Sequence, residues 1–179
     1  MKFTKQLLSE RFQSEEQIGV YYANFETGER REEFKGSDDE YEESAHLPDG
    51  NRMSRCTNCA HWVVAHLSTG DVYGFLAEDN PVICEHINSA GGHDFALIGK
   101  RYIVDIWISL YSGADDQTVF DLKDPKDRDK VKAIYGDPSR WGYCDPITKN
   151  FIKPDHHDYP SNKRILAEPV ATNAFSYSM

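Results

Sequence analysis

The sequence has no long hydrophobic run, few cysteines and fewer basic than acidic residues, and each shortage removes a class of protein. No apolar stretch approaches the roughly 18 residues of a transmembrane helix. Four cysteines among 179 residues are too sparse for a disulfide scaffold. Twenty Lys and Arg stand against 30 Asp and Glu, for a net charge of −10 and a pI near 5.1. Nucleic acid and anionic membranes select the opposite, a positive footprint, so neither is the expected partner. The opening MKFTKQLLSERF lacks the apolar core of a secretory signal. What is present, 39% hydrophobic and 12% aromatic residues, suffices to build a core over a length suited to about one domain. The expectation is a soluble monomer working in a reducing, cytoplasmic setting.

The acidity is uneven. Residues 1–50 hold 13 acidic and 6 basic side chains, whereas residues 51–179 hold 17 and 14. The chain is therefore read as an acidic N-terminal section, 1–50, followed by a nearly neutral section, 51–179, within one compact domain. Residues 36–50 have few large apolar side chains and end in Pro-Asp-Gly, which predicts an exposed loop. An acidic face of this kind is either simply solvated or a docking surface for a basic partner.

Periodicity assigns the elements. Residues 4–17 read as one helix, and the stretch from Ile18 to Phe25 as a strand. In CTNCAHWVVAHL, small and apolar residues at Cys56, Cys59, Ala60, Val63, Val64 and Leu67 trace a single helical face, closed by Gly70. Strands follow at 72–76, 93–98 and 101–110, and a second amphipathic helix at 126–135. The tail from Pro146 holds four of the eight prolines and is expected to wrap the surface.

Three residues converge on one chemistry. Cys56 opens its helix, where unpaired N–H groups and the partial positive charge favour thiolate and can receive an oxyanion. A cysteine nucleophile also needs a base, and the base an orienting group. With the 93–110 hairpin centred on Gly99, His93 and Asp105 lie opposite each other on one face of the sheet. A two-residue Gly99-Lys100 turn would instead pair Asp94 with Asp105, so the arrangement requires a three-residue loop or a bulge. An aspartate inside the apolar run YIVDIWISL needs a partner to offset its burial, and a histidine across the ladder is one. For the oxyanion, the nearby side-chain amides are Asn51 and Asn58, with Asn51 the first candidate.

At CTNCA (Cys56–Ala60), GGHDFALIG (Gly91–Gly99) and RYIVDIW (Arg101–Trp107), the chain resembles the papain-like fold. More narrowly, it resembles the papain-fold toxins and the bacterial effector protein-glutamine deamidases. The resemblance spans about residues 50–110. It implies an α+β architecture in which a central helix bearing the cysteine packs on a small antiparallel sheet bearing His and Asp. It also implies Cys56 as nucleophile, His93 as general base and acid, and Asp105 as its orienter. The implied reaction is deamidation of a glutamine in a partner protein, host-derived in the effector case, with delivery into a target cell and no cofactor. Protease and transglutaminase are the alternatives on the same triad. Ser54-Arg55 stand where the effector deamidases usually carry Gly-Asn, and the papain-type Cys-Gly-Ser-Cys-Trp pattern would promote Cys59 instead. The face pattern favours Cys56, because Cys59 sits one turn deeper, away from the helix end.

A different class of reading makes the cysteines structural. Cys56, Cys59, Cys84 and His86 would form a Cys3His zinc site, and the protein would be an acidic binding module. His61 and His66 are spaced five apart and do not share a helix face as a metal pair would. Asp155-His156-His157-Asp158 reads as a solvated loop.

Overall fold

The computed structural model describes residues 2–30 and 43–165. The predicted N-terminal helix is in fact two: α1, Lys5–Arg11, capped by the Thr4 hydroxyl, and α2, Glu15–Ile18, capped by the Ser14 hydroxyl. Ser14 takes an extended backbone to accept the Gln17 N–H, and that N-cap breaks the run. Strand β1 is Tyr21–Asn24, and it pairs antiparallel with β2, Glu43–His46. The loop expected at 36–50 is thus a strand over 43–46, followed by the fully buried Leu47; residues 36–42 lie outside the described residues. Short polar strands such as Glu-Ser-Ala-His have little apolar alternation of their own, so only pairing reveals them.

Helix α3 runs Cys56–Leu67, as its face pattern predicts. It closes two residues earlier than expected, at Ser68, which takes the left-handed conformation (φ 56°). The remaining elements are β3 (Asp71–Leu76), α4 (Glu85–Ala90), β4 (Gly92–Ile98), β5 (Tyr102–Val104), β6 (Val119–Asp121), α5 (Pro125–Tyr135), β7 (Gly142–Cys144) and β8 (Phe151–Ile152). Six of the strands form an antiparallel sheet in the order β6-β5-β4-β3-β7-β8. The architecture is α+β.

The predicted strand at 101–110 is the main departure. β5 stops at Val104, and residues 107–111 form a π-helical turn. Gly99, Lys100 and Arg101 make a three-residue loop, with Gly99 and Lys100 both at positive φ, so Ile98 faces Tyr102. The hairpin is therefore centred one residue later than expected. His93 and Asp105 keep a common parity but are not directly opposite.

The core is aromatic where α5 meets the sheet. Phe95 packs edge-on to both Tyr135 and Trp141, with ring centroids 4.9 and 4.8 Å away. The acidic front section joins the same core through Leu8, Phe12, Ile18, Ala45 and Leu47. Lys5 reaches the buried Asp127 of α5 at 2.7 Å. Up to Ile165 the tail does more than wrap the surface, and residues 166–179 lie outside the described residues. β8 extends the sheet, and Tyr159 buries its ring while donating to the Trp141 carbonyl. Among the described residues, no helix is long and apolar enough to cross a membrane.

Candidate functional site

The first turn of α3 lies against the start of β4. The other long helix, α5, carries a side-chain cap at its N-terminus, and so do α1 and α2; α3 begins after Arg55 with none. Its first backbone bond is the Cys59 N–H to the Arg55 carbonyl, which leaves the preceding N–H groups without intrahelical partners. Two contacts hold this end in place. The Thr57 hydroxyl donates to Asp94 Oδ2 at 2.6 Å, and the Asp94 N–H donates to Cys56 Sγ at 3.4 Å. Space for the Asp94 carboxylate exists because residue 74 is glycine: a Cβ there would come within 2.0 Å of Asp94 Oδ1.

His93 is enclosed, at 2% exposure. Its Nε2 donates to Asp105 Oδ2 at 2.6 Å, while its Nδ1 is buried and makes no hydrogen bond of normal geometry. Burial by itself disfavours the imidazolium, but the Asp105 charge and hydrogen bond, with a further contribution from Cys56, raise the His93 pKa above its ordinary value. Asp105 follows the end of β5. Its N–H is bonded to the Thr118 carbonyl, and its Oδ1 accepts the Ile108 N–H at 3.2 Å, closing the start of the π-helical turn. π-Helical turns concentrate at functional sites. Here the turn brings Trp107 over His93, with ring centroids 4.9 Å apart, and the Trp107 indole N–H holds the Ser54 carbonyl just before Cys56.

Of the sequence candidates, His93 and Asp105 are thus in direct contact, with Cys56 beside them. Cys59 is different: it is 2% exposed and its thiol donates to the Met53 carbonyl. Burial first, then the neighbouring Asp105 charge, pushes its pKa up, as burial does for Cys144. All four cysteines are free. Asn51 is not brought to the helix end by any bond of its amide; it lies exposed in the turn after β2, its N–H on Asp49 and its carbonyl accepting from Leu47. Asn58 spends its amide on the Arg52 carbonyl. Asn58 thus has its amide engaged, whereas Asn51 is held in its turn through backbone groups.

The zinc arrangement is not formed. Among the described residues, the group of three or more His, Cys, Asp or Glu with ligand atoms within 4.8 Å of one another is His156, His157 and Asp158, all exposed. Cys84 instead begins α4 and His86 lies within it. Three participants escaped the sequence reading: Thr57, Trp107 and Tyr135, the last donating its hydroxyl to Asp105 Oδ2 at 2.7 Å. Each looks like an ordinary helix or core residue in one dimension, and only the contacts single it out. The chain matches no protein-family model, no curated protein and no solved structure.

Proposed function

We propose that this chain is a cysteine-dependent acyl-transfer hydrolase of papain-like architecture, acting on a glutamine side-chain amide of a partner protein. One observation carries the reading. A buried histidine has a carboxylate on one ring nitrogen and no hydrogen bond of normal geometry on the other, and the next residue's backbone N–H holds a partly buried thiol at an uncapped helix N-terminus. A structural histidine is ordinarily satisfied at both nitrogens, whereas a general base keeps one for its substrate proton.

In this scheme His93 takes the Cys56 proton, and the thiolate attacks the carboxamide carbon. The developing oxyanion meets free N–H groups of the first turn of α3. His93 then protonates the amide nitrogen, the C–N bond breaks and ammonia leaves, with a thioester on Cys56. Water attacks that carbonyl as His93 accepts its proton; the C–S bond breaks, releasing glutamate and returning the proton to the thiolate. Asp105 keeps the imidazole oriented and offsets its charge. The partner is read as a protein with a basic surface, matched to the acidic residues 1–50. The resemblance to effector deamidases favours this amide over a peptide bond.

Candidate basic proteins incubated with the chain, and separately with Cys56→Ala, are to be compared by intact mass. Deamidation adds about 1 Da per site, cross-linking of an added amine gives a larger adduct, and proteolysis gives fragments. The expected result is the small increment, absent with Cys56→Ala. Iodoacetamide should label Cys56 at least tenfold faster than Cys59 or Cys144, whose burial keeps them as thiols. Equal, slow labelling of all the cysteines would overturn the reading, as would one tightly held zinc whose removal unfolds the chain.

A further inference from the structure

We propose that Tyr135 is a positioning residue of this site, holding the Asp105 carboxylate on His93 and limiting how strongly that carboxylate retains the imidazolium. The proposal rests on the catalytic reading of Cys56 and His93. Tyr135 is the last residue of α5 and is completely buried. Its hydroxyl donates to Asp105 Oδ2, the same oxygen that receives His93 Nε2. Asp105 therefore has three donors: His93, Tyr135 and the Ile108 N–H on its other oxygen.

The backbone of Tyr135 is itself held. Its carbonyl accepts from the Asn80 amide at 3.1 Å and from the Trp141 indole at 2.8 Å. Asn80, 3% exposed, also binds both the carbonyl and the N–H of Asp137. The intervening Gly136 has positive φ, and a Cβ there would come within 2.3 Å of Asn80 Oδ1. So the end of α5, the loop after β3 and Trp141 together aim one phenol at Asp105. Core packing alone asks for an aromatic ring at this place; Phe95 and Phe120 do that work nearby without a hydroxyl.

The physical consequence follows from shared charge. A carboxylate oxygen that accepts from a phenol has less negative charge to offer the imidazolium. Removing the phenol concentrates that charge on His93 and makes the ring harder to deprotonate. A base held too firmly protonated takes the next proton poorly. The titratable groups facing the pair are Cys56 and Cys59 from α3 and Tyr135 from α5; Asp115 before β6 and Cys84 at the start of α4 act on Tyr135.

The test is nitrogen NMR titration of His93 in the full chain, with the signal assigned by its loss in His93→Ala. In Tyr135→Phe the imidazolium midpoint should rise by about one pH unit, a tenfold change in proton affinity. If that variant does not fold, 3-fluorotyrosine incorporated in place of tyrosine gives a second arm: its more acidic hydroxyl should lower the midpoint. A midpoint equal to wild type in whichever variant folds overturns the role of Tyr135. Cys56→Ala tests the underlying reading separately, since loss of the thiol should lower the His93 midpoint. If Cys56→Ala leaves it unmoved, the Cys56–His93 pairing fails, whatever Tyr135 does.

Discussion

At the scale of single residues, small differences in contact separate the cysteine proposed as nucleophile from a buried neighbour. Cys56 and Cys59 are one turn apart on the same helix, yet one sulfur accepts a backbone N–H and the other donates to a carbonyl. Donation requires a proton on the sulfur, so Cys59 is committed to the thiol. Gly74 is another such detail. The glycine is not needed for its backbone angles; it is needed because Asp94 Oδ1 and the His93 carbonyl occupy the place of a Cβ. Gly74→Ala should destabilise by about 1–3 kcal/mol, the cost of overpacking, and detach Asp94 from Thr57. Urea melts and Cys56 labelling together check this. Unchanged stability would mean that the carboxylate relocates freely.

At the scale of elements, α3 and α5 are the two long helices, and they end differently. α5 is closed at its start by the Asp124 carboxylate, with Pro125 at the first position, so Asp124→Ala should cost about 1 kcal/mol. α3 has an open start and an unfavourable end, where Ser68 sits in the left-handed region. Ser68→Gly should stabilise by about 1 kcal/mol, since glycine is indifferent to that conformation. Both are read from shifts in the denaturation midpoint, and opposite signs are the expected outcome. A gain from capping the start of α3, by Arg55→Ser, should come with slower Cys56 labelling, because the cap would occupy N–H groups otherwise open. The helix opening at Cys56, the 126–135 helix and the 72–76 and 93–98 strands were legible from helical spacing or short apolar runs, whereas α4, Glu85–Ala90, carried no such signal and the N-terminal run divides in two. β5 was overextended, since YIVDIWISL is apolar on both parities and nothing in that pattern marks where pairing stops. The marker is Asp105, whose carboxylate accepts the Ile108 N–H and begins the turn.

At the scale of the molecule, stability should depend on pH from both sides. Asp121 is held below the ordinary carboxylate value, chiefly by its hydrogen bond from Arg101. In Asp127 burial acts the other way, but bonds from the Asp121 N–H, Lys5 and Gln117 outweigh it and lower its pKa too. Their contribution is whole above the ordinary carboxylate range and is lost as pH falls through the lowered values. His93 has the opposite sign: its raised pKa means stability that is whole below the ordinary imidazole range and lost as pH rises through the folded-state value. Thermal melts should therefore show a plateau falling on both sides. In Arg101→Gln the plateau should drop and its acid limb converge with wild type. Parallel curves at every pH would mean that the Arg101–Asp121 pair contributes nothing through charge.

Composition and periodicity were enough to specify an acidic chain of mixed helices and strands, the helix opening at Cys56, and a hairpin turning near Gly99 whose parity was left to its loop length. Those properties are local: they depend on spacing along the chain and on the helical and strand repeats. The tertiary structure decided what spacing cannot carry. It set the hairpin centre, because the loop length sits in the positive φ of Gly99 and Lys100. It set the Asn51 backbone in the turn after β2. It also brought Tyr135, thirty residues along the chain, onto Asp105. Contacts at that separation follow from how helix and sheet faces pack, and no one-dimensional repeat encodes which buried aromatic will turn its hydroxyl toward a buried carboxylate.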